Sequence, residues 1–383
     1  MLGSLDGVRV LELARFQAGP RGGMMMSDLG AEVIKIERIG GEETRKNPPI
    51  VRGQSVYFTV YNRGKKSICL DLRSPEGKAI FTDLVKTSDI VLENFRPGTM
   101  DAMGFGYTAL AAIKHDIILV SVSGFGQTGP YRDRPAFDPL GQAMSGLMSL
   151  TGRPVGQPIG TAFSLVDRTT ALHATIGALA ALRHRDRTGQ GQMIDCCLLD
   201  SALTMVEIPS IYHLGSGEEG GEGGRPPYRA KDGHVVIAAI GREMAGTLMK
   251  IVRDGKVVDG DTASMSSSAS GERRQLLEAW CAGRSVAEVV DTLLAAGIPV
   301  APVRAIPEVV KDAHTWEREM LVKQPDALAG EIHVPGVAVK MSATPGRIGP
   351  EPTPGQHTDE ILGRLLDFDG PRLAALRAAK VIA

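Results

Sequence analysis

The chain has 383 residues, 43% of them apolar, and 43 basic against 44 acidic side chains leave a net charge of -1. This length exceeds what one hydrophobic core usually serves, so two domains are expected, and the apolar content excludes a disordered chain. The charge balance speaks against a dedicated nucleic-acid binder, and no uncharged stretch reaches the roughly 18 residues that a membrane-spanning helix needs.

The N-terminus shows neither a basic lead nor an apolar run, since Asp6 and Glu12 interrupt it, so no secretory signal and a cytoplasmic location are expected. Val8–Leu13 is a short β-rich run. Pro20 follows where a first helical turn tolerates it, then Met24, Met25, Met26 and Leu29, with Gly30 as the stop. Glu32–Ile36 and Lys66–Leu72 read as strands. Ser74-Pro75 reads as the cap and first turn of a helix over Gly77–Lys86. Ile90–Phe95 is strand, Thr108–Ile113 a short helix and Ile117–Val122 a buried strand. Strands alternating with helices predict an α/β fold, a mostly parallel sheet covered by helices.

Pro135–Leu150 is mixed, Arg153–Gly160 is a loop, Leu172–Leu182 is an Ala/Leu helix, and residues 193–199 form a further strand. Gly215–Pro227 turns the chain. Asp232-Gly233 between β-type runs signals a hairpin that opens a new unit. Helices follow at about 242–253, 273–282 and 286–296, the last with a Ser285/Glu288 capping box and Gly297 as its stop. The tail closes in a helix from about Thr358. The expected division is a large domain over 1–200 with 340–383 returning to it, a Gly-rich linker or flap over 201–227, and a small α+β domain over 228–325.

The four cysteines, two adjacent at Cys196 and Cys197, read as reduced thiols. The eight histidines lie apart and no zinc spacing occurs, so no metal is expected. Two stretches match the dinucleotide fingerprint, Gly124-Phe-Gly126-Gln-Thr-Gly129 and Gly215-Ser-Gly217-Glu-Glu-Gly220. The first leads into Pro130 instead of a helix and the second follows no strand, so NAD is not expected and a Rossmann-type dehydrogenase is disfavoured.

Basic residues cluster in the first 100 positions. Arg38, Arg73 and Arg96 follow successive strands, where α/β sheets bind ligands, and together they suit a phosphate-rich ligand. Asp167, directly before the Ala-rich helix, reads either as an ordinary N-cap or as a carboxylate nucleophile. A helix N-terminus favours the ionised form in both cases. The run Gly220–Gly224 reads as a linker or as a mobile flap.

Several segments together resemble the family III CoA-transferases, a superfamily that includes formyl-CoA transferase, carnitine CoA-transferase and α-methylacyl-CoA racemase. They are Leu-Asp-Gly-Val-Arg-Val-Leu-Glu-Leu at 5–13, Ala18-Gly19-Pro20, Asp-Leu-Gly-Ala-Glu-Val-Ile-Lys-Ile-Glu at 28–37 and Glu93-Asn94-Phe95-Arg96-Pro97-Gly98. Further on come Ser-Gly-Phe-Gly-Gln-Thr-Gly-Pro at 123–130, Arg-Thr-Gly-Gln-Gly-Gln at 187–192 and Gln356-His357-Thr358-Asp359. Their order and spacing carry the resemblance over nearly the whole chain.

The resemblance implies a Rossmann-like large domain, a smaller domain and an interlocked homodimer, with coenzyme A entering as acyl-CoA. Matched by motif, Gln17 and Ala18 would line the thioester region. Arg38, Leu70, Leu72, Arg73, Asn94, Phe95 and Arg96 would hold the nucleotide. Many relatives carry a basic residue where Ala102 stands, and Arg96 or Lys65 could replace it. Asp167 matches the catalytic aspartate, and Gly221, Gly223 and Gly224 resemble the loop over the active site.

The expected activity is transfer of CoA from an acyl-CoA to a carboxylic acid through a covalent aspartyl intermediate. The alternatives are an α-methylacyl-CoA racemase on the same scaffold and a non-catalytic acyl-CoA-binding relative. The racemases carry a histidine before an aspartate in the segment matching Ala136-Phe137-Asp138, and an assisting glutamate where Gly241 stands. This chain has Phe137 before Asp138, and phenylalanine carries no proton. Arg21, one turn after Gln17, stands where relatives often have a small or apolar residue. It reads as a partner for a second substrate carboxylate or as a surface or phosphate-side arginine, and the first reading predicts a preference for dicarboxylic acids.

Overall fold

In the computed structural model, which describes residues 3–220, 227–254, 270–326 and 329–383, the short apolar runs become a six-stranded parallel sheet. Its strands are β1 (Arg9–Glu12), β2 (Glu32–Glu37), β3 (Lys66–Cys69), β4 (Ile90–Glu93), β5 (Ile118–Ser123) and β6 (Met193–Cys197). Neighbours run in the order β3-β2-β1-β4-β5-β6, all parallel. The order reverses between β1 and β4, which opens a crevice at their carboxyl ends.

Side-chain alternation supplies both faces of the sheet. Leu11, Ile34, Val91 and Leu119 face a core closed by the helix Pro75–Lys86 and by helices from the C-terminal segment. Val10, Val33, Leu92 and Ile118 face the other way, against apolar residues of the long helix Leu165–Thr188. The helices Thr358–Leu366 and Gly370–Ala378 pack Ile361, Leu362 and Leu373 into the first core, and Leu70 bridges to Ile382 at the chain end.

Contacts divide the chain into two units, Met1–Ser210 with Trp316–Ala383, and Ile211–Thr315. The second holds a three-stranded antiparallel sheet, with Val300–Pro302 and Tyr228–Arg229 flanking His234–Ile237, and three main helices. Its hairpin turns at Asp232-Gly233, and Ser285 and Glu288 cap Val286–Ala295 reciprocally. An antiparallel pair, Leu321–Asp326 with Gly330–Pro335, was not expected from the sequence. Among the described residues no helix is long and apolar enough to cross a membrane.

The helix expected over 172–182 is twice as long and starts at Leu165. This corrects the place of Asp167, whose cap is Ser164; Asp167 is the third residue inside the helix. The basic cluster divides as well. Lys35 and Lys65 are fully buried and converge on Glu12: their Nζ atoms lie 3.2 and 2.7 Å from Glu12 Oε1. Lys35 also pairs with Glu42 at 2.7 Å and donates to Ala14 O. Lys65 donates to Pro20 O and Asn62 Oδ1. Lys65 therefore cannot stand in for a ligand-binding cation at Ala102.

Removing one member of a buried, hydrogen-bonded charge cluster strands the others. Glu12→Gln is expected to cost about 3–5 kcal/mol. Lys86→Ala, which breaks an exposed pair with Asp83, should cost less than about 1 kcal/mol in the same equilibrium unfolding experiment.

Candidate active site

The segments that leave β1 and β4 build the crevice. After Glu12 the chain turns through Arg15 and Phe16 into α1 (Ala18–Asp28). Phe16 sits at φ 66°, a backbone conformation that a bulky residue rarely adopts. A clamp holds it there. The Asn94 amide, just past β4, accepts from Arg15 N at 2.7 Å and donates to Arg15 O at 2.6 Å. Gly19 and Gly23 let α1 lie against this turn, since a Cβ at Gly19 would stand 2.4 Å from Ala14 Cβ and one at Gly23 1.8 Å from Glu12 Oε2.

A cavity of about 390 Å³ opens here, lined by Gln17, Ala18, Asn94, Phe95, Arg96, Phe137 and Asp167 among others. A second, of about 700 Å³, is lined by Arg38, Leu70, Leu72, Arg73 and Phe95 with Met103 and Lys380. Arg15 and Phe95 line both and stack, guanidinium over ring, at 5.5 Å. Residues from the ends of β1 to β5 thus reach two neighbouring cavities. Arg73, Arg96 and Lys380 have no carboxylate partner among the described residues. Arg38 lies 3.9 Å from Glu43, which also pairs with Arg15 at 3.0 Å.

Asp167 comes to the first cavity in a particular state. Two helices set it, α2 (Asp138–Met144) and α3 (Leu165–Thr188). As the third residue of α3, Asp167 has an N–H with no partner within the helix. Asp138 supplies the acceptor from α2: its Oδ1 lies 2.9 Å from Asp167 N. Gln142 donates to the other Asp138 oxygen, and Thr161 N in turn donates to Gln142. The cap is therefore provided from outside, and the Asp167 carboxylate faces the cavity. Burial, and then the charge of Asp138, push the Asp167 carboxyl up to about 7.

Phe137, the residue before Asp138, is exposed and meets Phe16 edge-on at 6.0 Å. Apart from Asp167, the described residues lining this cavity include no histidine, lysine or acid. Arg21 lines neither cavity. Gly221, Gly223 and Gly224 lie outside the described residues. No group of acids, histidines or cysteines able to hold a metal occurs among the described residues. The stretch Gly124–Gly129 follows the fifth strand and no helix begins until Asp138, a context foreign to a dinucleotide fingerprint.

Over residues 5–358 the chain matches CoA-transferase family III. It belongs to that family. It is 36% identical to succinyl-CoA–D-citramalate CoA-transferase of Chloroflexus aurantiacus, over 99% of this chain and 98% of the relative. It is 35% identical to succinyl-CoA:glutarate CoA-transferase of Mus musculus, over 99% and 90%. A crystal structure of a CAIB/BAIF family protein from Brucella suis superposes with a TM-score of 0.83 at 32% identity, over 95% of this chain and all of that one.

Three cations of this family III chain were not singled out from its sequence: Arg15, Arg134 and Lys380, all lining the cavities. Arg15 lies between the segments 5–13 and 18–20, and its position depends on the Asn94 clamp. Lys380 arrives only because the chain end returns beside β3. Asn94 has both polar side-chain atoms committed to Arg15, so it shapes the cavity wall.

The raised Asp167 carboxyl has a consequence for stability. The fold prefers the protonated form, so ionisation destabilises the native state progressively from about pH 4 to pH 7. Asp167→Asn removes that cost. It should melt with the parent protein near pH 4 and about 3–6 °C above it near pH 8, as measured by thermal unfolding.

Proposed function

We propose that this protein transfers CoA from an acyl-CoA to a free carboxylic acid, with Asp167 as the covalent carrier. The observation that carries the proposal is the external capping of Asp167 by Asp138, which leaves a half-buried, cavity-facing carboxylate as the reactive group. An Asp167 oxygen attacks the thioester carbonyl; the C–O bond forms, the C–S bond breaks, and an acyl-aspartyl anhydride and CoA thiolate result. The thiolate attacks Asp167 Cγ, releasing the donor acid and leaving an aspartyl-CoA thioester. The acceptor carboxylate then attacks that thioester, and the returning thiolate attacks the acceptor's acyl carbon. Asp167 is regenerated and one thioester has replaced another of similar energy, so no further energy source is required.

A carboxyl titrating near neutrality suits this role. Its ionised form is a better nucleophile than an ordinary aspartate, yet is available at pH 7. The α1 N-terminus, where Gln17 makes no side-chain cap, offers amide donors at Ala18 and Gly19 to the oxygen charge that develops on the attacked carbonyl. Arg38, Leu70, Leu72, Arg73, Phe95 and Arg96 suit CoA: cations for its phosphates and apolar faces for the adenine. Lys380 joins them in place of the cation missing at Ala102. The anhydride is water-sensitive, so the reaction requires that water be kept from the site while it exists.

Relatives named for succinyl-CoA favour that donor class here. An interlocked homodimer in the cytoplasm is part of the same reading. Leu172, Ile176 and Leu179 on α3 are at least a third exposed, an apolar stripe that a second copy would cover.

Asp167→Ala should lower transfer at least about 10³-fold while CoA binding persists. Hydroxylamine added to the parent protein with succinyl-CoA and no acceptor should label Asp167, located by peptide mass. In the parent, kcat/KM should climb about tenfold per pH unit below pH 7 and level off above it. Near-normal turnover by the alanine variant defeats the covalent reading.

Racemisation requires a second acid/base group opposite Asp167, and the described residues of the cavity present none. Incubation with either 2-methylacyl-CoA epimer in deuterated water should give no enzyme-dependent α-deuteration. Exchange at the rate of turnover would make the protein a racemase.

A further inference from the structure

Two guanidinium groups, one on α1 and one on α3, form no ion pair among the described residues. Arg21 lies one turn along α1 from Gln17, its N–H donating to Gln17 O at 2.8 Å. Arg168 directly follows Asp167 on α3. The helices carrying them are in contact at Gly22, where a Cβ would stand at ordinary contact distance, 3.6 Å from Thr175 Oγ1 and 3.8 Å from Ala171 O. Both guanidiniums have a buried Nε with no acceptor, and neither forms an ion pair among the described residues. Asp28, whose charge reaches Arg21, is already held by both Nη atoms of Arg63. Arg168 is steadied over the Phe163 ring at 5.2 Å.

Burial, and then the positive charge of Arg168, lower the Arg21 guanidinium from its ordinary range. Two like charges held near each other, each with a buried donor unmet, destabilise an empty site and favour an anion that can accept from both. Tyr61, whose charge also reaches Arg21, donates its hydroxyl to Gln17 Oε1 at 2.8 Å, and Gln17 lines the Asp167 cavity. One helical turn, about 5.4 Å, separates Arg21 from Gln17, which lines the same cavity as Asp167. A short diacid can span that interval.

We propose that Arg21 and Arg168 form the subsite for the distal carboxylate of a short dicarboxylic acid or its monothioester, and so select the substrate class. This rests on the transferase reading above. The planar, two-pronged donor of arginine matches a carboxylate better than the single ammonium of lysine.

The test compares donors. In a substituted-enzyme reaction, kcat/KM for the donor reports only the first half-reaction, so succinyl-CoA and butyryl-CoA can be ranked at one acceptor. The parent protein should prefer succinyl-CoA. Arg21→Gln and Arg168→Gln should each shrink that preference about 10–100-fold, mostly through KM, as expected for loss of charge-assisted hydrogen bonds; Arg21→Lys should fall between. Succinate, and not butyrate, should raise the parent's Tm, and the Gln variants should lose this response. An unchanged preference, or an equal loss on both donors, overturns the subsite. If the parent transfers CoA to no acid, the transferase reading falls, and the succinate-induced Tm shift still decides the subsite.

Discussion

Everything at the carboxyl end of the sheet hangs on the buried cluster of Glu12, Lys35 and Lys65. One carboxylate oxygen receives both ammonium groups, and those ammonium groups also bind the carbonyls of Ala14 and Pro20, on either side of the turn that leads into α1. Three chain segments are thereby tied to one point. Burial lowers Lys65 to about 8 against the pull of Glu12, which shows how closely desolvation and attraction are balanced there. With that anchor in place, Asn94 can hold the Arg15 backbone and Phe16 can occupy its unfavourable conformation.

A second constraint acts on Asp167. Helix starts usually satisfy their own amides with a nearby side chain. Here Asp138, on another helix, takes that task; it is itself held by Gln142, which Thr161 N holds in turn. The arrangement places two carboxylates close together, and the proximity adds to burial in raising the proton affinity of Asp167. Asp138 thus both caps the helix start at Asp167 and tunes the cavity-facing carboxyl.

Charge is partitioned by depth. Lys35, Arg63 and Lys65 serve the interior, whereas Arg38, Arg73, Arg96 and Lys380 line open cavities. Arg21 and Arg168 belong to neither class: they are part-buried and form no ion pair among the described residues.

Much of this was legible in the linear chain. The α/β class followed from short apolar runs alternating with helical segments, because a strand in a covered parallel sheet must be apolar on both faces. The placement of Arg38, Arg73 and Arg96 beyond successive strands followed from the same alternation. The family motifs pointed to Asp167. What the sequence left open was depth and partnership. Lys65 and Arg96 look alike in one dimension, yet one is sealed against Glu12 and the other lines an open cavity with no ion pair among the described residues, because burial depends on which helix covers a strand end. Asp167 looked like a cap until Asp138, 29 residues earlier, proved to cap its helix instead. Lys380 reached the second cavity only through the return of the chain end. Such contacts join residues far apart in sequence, and no local propensity encodes them; they are decided when the packed faces of the sheet fix which segments meet.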